Sequence, residues 1–133
     1  MPHIDVKAPI AVIMIEKDGR KQPYIARDAR HNRLYWPIFT DRIKATHYMA
    51  GFDDAIRKRL HLVVLGNVKD FVLRFAPFVE FFDAYCGAQG APSFACIDHP
   101  GPSVTATAFH VEVRSLFKAL SAANIARIED DSA

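Results

Sequence analysis

Two corners of this chain bring together residue types that can do chemistry. The first is Thr40-Asp41, which closes the aromatic run Leu34-Tyr35-Trp36-Pro37-Ile38-Phe39. A hydroxyl and a carboxylate where a strand hands over to a helix can cap that helix, whose first N–H groups lack partners within it. The second is Asp98-His99, just ahead of Pro100-Gly101-Pro102. A carboxylate beside an imidazole suits acid–base work or a pH-dependent contact, because histidine titrates near neutrality. An α-β-α crossover between the strands 33–39 and 93–98 implies that they run parallel. Thr40, Asp41, Asp98 and His99 then converge on one sheet edge with Trp36 flanking them, and open α/β sheets bind ligands at such edges. These five residues are the candidate ligand or partner surface.

Other chemistries find less to work with. There is no Gly-x-Ser-x-Gly elbow and no cysteine-nucleophile signature, so no catalytic residue is assigned. Cys96 shares a strand face with Phe94 and Asp98, a setting for a buried structural thiol and not for a reactive thiolate. His3, His31, His47, His61, His99 and His110 include no helical i,i+4 pair, and no Cys-x-x-Cys occurs, so no metal is expected. Asp98, His99 and His110 come close if strands 93–98 and 104–110 form a hairpin. Gly87-x-x-Gly90 follows a helix where a phosphate cradle precedes one, and no cofactor is expected. Arg27, Arg30 and Arg33, with His31, surround the turn 28–32 beside Tyr24, Tyr35 and Trp36. They are candidate anion contacts, and interleaved basic and aromatic residues can grip single strands.

Charge is uneven along the chain. Residues 1–60 carry 12 Lys/Arg against 7 Asp/Glu, a balance of +5, and residues 61–133 carry 5 against 8, a balance of −3. An anionic partner would meet the first half more readily, although a solvated mixed surface explains the same numbers. The two cysteines, Cys86 and Cys96, fit a reduced compartment. The N-terminus lacks the basic-then-apolar order of a secretion signal, and no apolar run reaches the roughly 18–20 residues of a membrane span. The expectation is a soluble cytoplasmic protein with one domain.

The elements that position the two corners follow from pattern. Residues 1–9 read as an arm. Residues 10–16 are apolar up to Glu16 and rich in β-branched residues, and read as a strand buried on both faces. Asp18-Gly19 turns it into a return strand at 21–27, placed at an edge by Pro23, and a third strand at 33–39 completes a meander. A helix over 42–51 and a short one capped by Asp53-Asp54 come next, then a strand at 61–65. Asn67 caps a long helix over 68–86. Val68, Phe71, Phe75, Phe78, Val79, Phe82, Tyr85 and Cys86 form its stripe, which runs through Pro77 without resetting, as in one helix kinked at the proline. Leu73 and Phe81 lie off that stripe. The helix is therefore either sandwiched between a sheet and another helix or a subunit interface. Strands at 93–98 and 104–110 precede a last helix marked by Val113, Leu116, Phe117 and Leu120, and Arg127 onward reads as a frayed acidic tail. The order βββ-α(α)-β-α-β-β-α is α+β with a mixed sheet.

Three of these pieces carry a resemblance. Pro23-Tyr24-Ile25-Ala26 with Leu34 to Asp41, Val64-Leu65-Gly66 before a long helix, and Cys96-Ile97-Asp98-His99-Pro100-Gly101 together resemble the SseB-like domain family, small α/β domains of poorly defined biochemical function. The similarity spans about residues 20–120. The family often has Asn-Pro after the matching strand, whereas here His99 stands between Asp98 and Pro100. The resemblance implies a fold, no cofactor and no agreed catalytic residues. Taken with the residue reading, it leads to a non-catalytic module that binds another protein or a small ligand. A homodimer is expected from the apolar excess at Leu73, Phe81 and the first strand. An enzyme of unknown class using the Asp98-His99 corner is the alternative, and weak nucleic-acid binding through 27–36 is a third reading.

Overall fold

Residues 10–14 are apolar without interruption, so both faces of that strand must be covered. The computed structural model describes residues 3–28, 32–101 and 109–129. It runs β1 (His3–Val6), β2 (Ile10–Lys17), β3 (Arg20–Pro23), β4 (Ala26–Asp28), β5 (Arg33–Phe39), α1 (Arg42–Ala50), α2 (Asp54–Arg57), β6 (Leu60–Leu65), α3 (Val68–Ala88), β7 (Phe94–Ile97), β8 (Phe109–Glu112), α4 (Val113–Ala123) and β9 (Ala126–Glu129). The architecture is α+β, strand-first, with a mixed seven-stranded sheet and a separate two-stranded ribbon.

The sheet is built around β2 and β5. β2 pairs antiparallel with β6 along one edge, and its other edge is shared between β5 and β3. β5 pairs parallel with β7, and β7 antiparallel with β8. Side chains alternate. Ile10, Val12 and Met14 of β2, with Trp36 and Ile38 of β5, meet α3 and α4 on one face. Ala11, Ile13 and Phe39 meet Ala45 and Tyr48 of α1 on the other. α3 is continuous through Pro77 and buries Val68, Phe71, Phe75, Val79, Phe82 and Cys86. α4 buries Val113, Leu116, Phe117 and Leu120, the four residues that its periodicity marked.

Several expectations need correction. The strand foreseen over 21–27 is two strands. β3 leaves β2 at Pro23, and β4 pairs with β5 instead, so the chain turns a corner at Tyr24-Ile25. A plain meander would keep β5 apart from β2, yet they pair directly at Ala11–Phe39 and Val12–Ile38. The stretches read as an N-terminal arm and a frayed acidic tail each contain a strand. β1 and β9 pair antiparallel, and Val6, Ala126 and Ile128 join the core. Their alternation is only two residues long on each side, too short to stand out from loop sequence. The return strand expected at 104–110 falls mostly on residues outside those described; β8 begins at Phe109, which pairs with Ile97. The Asp18-Gly19 turn has positive φ at both residues, as a two-residue hairpin loop requires.

Candidate functional site

β5 and β7 are parallel neighbours, so their C-terminal ends emerge side by side. The Asp98 N–H donates to the Ile38 carbonyl at 2.9 Å, extending the ladder one step past β7. Asp98 has φ of 55°, a left-handed conformation that Asp and Asn tolerate better than most residues. That turn aims its carboxylate across to the β5–α1 junction. The Thr40 N–H donates to Oδ1 at 2.8 Å, the Thr40 hydroxyl to Oδ2 at 2.6 Å, and Lys44 Nζ to Oδ2 at 3.3 Å. The Asp98 side chain is 8% exposed and that of Lys44 54%. Asp41 is the N-cap of α1 and accepts from the Ile43 N–H at 2.6 Å. Thr40, Asp41 and Asp98 therefore meet at one sheet edge.

His99 is next to Asp98 in sequence but faces a different environment. Its ring stacks on Tyr35 at 5.2 Å and meets Tyr48 edge-on at 5.6 Å. Its Nδ1 accepts from the Gly101 N–H at 3.2 Å, which puts the proton of the neutral ring on Nε2. Burial, and then the neighbouring His110, hold its pKa below the ordinary value. Beneath it the Tyr35 and Tyr48 hydroxyls are 3.0 Å apart. Burial pushes Tyr35 up to about 12 and Tyr48 upward as well, so both phenols stay protonated. Cys96 lies opposite His110 in the β7–β8 ladder, and burial pushes its thiol up to about 12. It is an inert structural thiol at neutral pH.

Trp36 does not flank the corner. It is fully buried on the opposite face, ringed by Phe71, Phe75, Phe78 and Phe117. Alternation along β5 sends residue 36 towards α3, where the indole finds more apolar surface than a sheet edge offers. Of the expected anion contacts, Arg27 is exposed and donates to Asn32 Oδ1 at 3.2 Å. The Arg33 guanidinium lies over the Phe94 ring at 4.2 Å. Arg30 and His31 lie outside the described residues. Tyr35 and Trp36 are buried, which leaves no stacking platform from them for bases. Among the described residues, no group of three His, Cys, Asp or Glu side chains is set to hold a metal ion, and no helix is long and apolar enough to cross a membrane.

Lys44 and Tyr48 belong to this corner and sequence reasoning passed over them, while Tyr35 reads in the sequence as a base-stacking aromatic and not as a neighbour of His99. Lys44 had a signal: a cation in the first turn of a helix opposes the macrodipole, which points to a nearby carboxylate. Tyr48 had none, since an aromatic residue in a helix reads as core.

A second feature lies on α3. Its inner face is filled, yet Leu73 is 65% exposed, Phe81 67% and Tyr85 49%. Tyr85 was expected inside the buried stripe and sits at its margin instead, its ring stacked near Phe81 at 6.4 Å. The other source of apolar excess, the first strand, is used up within the fold, because Ile10 to Met14 are covered on both faces. Comparison with known proteins returns no family model, no curated protein and no solved structure that matches this chain.

Proposed function

We propose that this chain is a non-catalytic protein-interaction module that docks through the outer face of α3. The observation that carries the reading is the row Leu73, Pro77, Phe81 and Tyr85, spaced four residues apart and all exposed. Burying a large apolar side chain stabilises by roughly 1.5–3 kcal/mol, so such a row favours a covering surface. Residues four apart lie along one helix ridge, the form in which a helix meets another helix or a groove. The resemblance to the SseB-like domain family, with its lack of an agreed catalytic set, belongs to the same proposal and agrees with it.

The Asp98-His99 corner gives a small-ligand or catalytic reading less support. Both Asp98 oxygens are taken by Thr40 and Lys44, and His99 is packed between two tyrosines. A group that must bind substrate or shuttle protons needs a free valence facing a cavity. The test is site-specific photo-crosslinking in the native cell. A crosslinker in place of Phe81 is expected to capture a defined protein, whereas one in place of the exposed Lys58 is not. Equal or absent capture at the two positions would sink the reading.

A further inference from the structure

We infer that the outer edge of β6 pairs with β6 of a second copy of this chain, antiparallel and centred on Leu62, joining two seven-stranded sheets into one. The inference stands apart from the α3 reading, because it rests on backbone hydrogen bonding and not on an apolar row. β6 is matched to β2 without a break from Ile10–Leu65 to Ile15–Leu60. Just past that register the Glu16 N–H donates to the Arg59 carbonyl at 2.8 Å. Antiparallel ladders alternate, so His61, Val63 and Leu65 also turn their N–H and C=O groups towards β2. Leu60, Leu62 and Val64 turn theirs the other way. The far side of β2 keeps the same alternation, where the Tyr24 N–H donates to the Ile13 carbonyl at 2.9 Å. Among the described residues, no strand lies beyond β6 to meet those outward groups.

The chemistry of such an edge sets what covers it, since donors and acceptors alternating at strand spacing are matched by another strand. The other edge strands are blunted. β3 carries Arg20, Lys21 and Pro23, β4 Arg27 and Asp28, β8 Glu112, β1 Asp5, and β9 Arg127 and Glu129. β6, Leu-His-Leu-Val-Val-Leu, is the longest of these edges and has no Asp, Glu, Lys, Arg, proline or bulge. Its one polar side chain, His61, is engaged with Glu16 Oε2 of its own chain at 3.3 Å. An edge without a polar anchor has little means of choosing among foreign strands. A free peptide also loses entropy on ordering, whereas β6 of a second copy is already extended. With a two-fold axis at Leu62, Leu62 meets Leu62 and Leu60 meets Val64 of the second copy, so every outward group finds a partner. These pairs exchange about six N–H···O bonds, and the next register either way exchanges about four. Val64, 42% exposed in one chain, is covered by Leu60 of the second copy.

Amide hydrogen exchange by NMR, read beside sedimentation from about 5 to about 500 μM, tests this. The wild-type mass is expected to rise from one chain towards two. Over the same range the amides of Leu60, Leu62 and Val64 should gain protection about fivefold or more, while those of His61, Val63 and Leu65 are protected throughout by β2. Val64→Pro removes an outward N–H and no bond to β2, and Val64→Lys puts a charge on the edge. Each should weaken association about tenfold or more, with circular dichroism showing the fold intact. Phe81→Ala, on α3, should associate like the wild type. A wild type that keeps one chain's mass throughout overturns the inference. So does a mass that rises while the three edge amides gain no protection. An association lost in Phe81→Ala and kept in both Val64 variants overturns it as well, because the contact would then lie on α3.

Discussion

Replacing Asp98 by alanine should destabilise the chain by about 3–4 kcal/mol, because the lost hydrogen bonds and the N–H left unsatisfied overlap as costs and backbone strain adds to them. The carboxylate accepts from the Thr40 N–H at 2.8 Å and from its hydroxyl at 2.6 Å, at a site 8% exposed. Hydrogen bonds to a charged group contribute roughly 1.5–3 kcal/mol, and a part-buried N–H left without a partner costs about 1–3 kcal/mol. The Lys44 bridge adds little, because the amine is 54% exposed and 3.3 Å away. Alanine at φ 55° adds about 1 kcal/mol of backbone strain. Asp98→Gly removes that strain and should recover about 1 kcal/mol relative to Asp98→Ala. Asp98→Asn keeps both the left-handed tolerance and one acceptor oxygen, and should cost only about 1–2 kcal/mol. Urea unfolding with a common m-value measures all three variants. An alanine variant within about 0.5 kcal/mol of the wild type would refute the reasoning. So would a glycine variant no better than alanine, since it would mean that the left-handed turn carries no strain.

Phe75 is 2% exposed and meets Trp36 edge-on at 5.5 Å, so Phe75→Ala should cost about 3–5 kcal/mol in the same assay; a loss under about 1 kcal/mol would mean that the site collapses or is not core. His99 has a folded pKa below its ordinary 6.5, so the folded chain binds fewer protons than the unfolded one in the window beneath that value. Its contribution is complete above about pH 6.5 and is lost as pH falls through the folded pKa; His99→Phe should flatten that slope in thermal melts across pH 5–7, and an unchanged slope would assign the titration to another group. Gly19 has φ of 77° with nothing within 4 Å of an added Cβ, so Gly19→Ala should cost only the backbone strain, about 1 kcal/mol by urea unfolding.

The legible parts of the fold were those whose signals are local and long. α4 declared its buried face through four residues at helical spacing, and α3 ran through Pro77 because the stripe on either side stayed in phase. The parallel β5–β7 pair was foreseen from a crossover argument and stands at Tyr35–Phe94 through Ile38–Ile97. What stayed hidden was pairing between distant segments with weak local patterns. Nothing in His3–Val6 announces that its partner is Ala126–Glu129. The face of Trp36 could be read only once the neighbours of β5 were known, because alternation fixes which residues share a face and says nothing of what covers it. Lys44 was readable in principle as a misplaced cation in a first helical turn.

The two features that stand out in the sequence exchange roles in the structure, and the exchange has a physical basis. Thr40, Asp98 and His99 look like chemistry because their side chains are polar and adjacent. Yet a sheet edge where a parallel pair of strands ends leaves backbone N–H groups that need acceptors, and the Asp98 carboxylate meets that need at the Thr40 N–H. His99 is drawn inward because two tyrosines offer it flat apolar surface, and its displaced proton affinity follows from that burial. Leu73 and Phe81, by contrast, look like ordinary core on a helix that is apolar nearly all round. The sheet can cover only one side of a helix, and α4 covers a flank, so α3 retains an apolar strip with no internal use. Polar groups at this sheet edge hold the fold together, and the apolar strip of α3 is surface that the fold itself leaves uncovered.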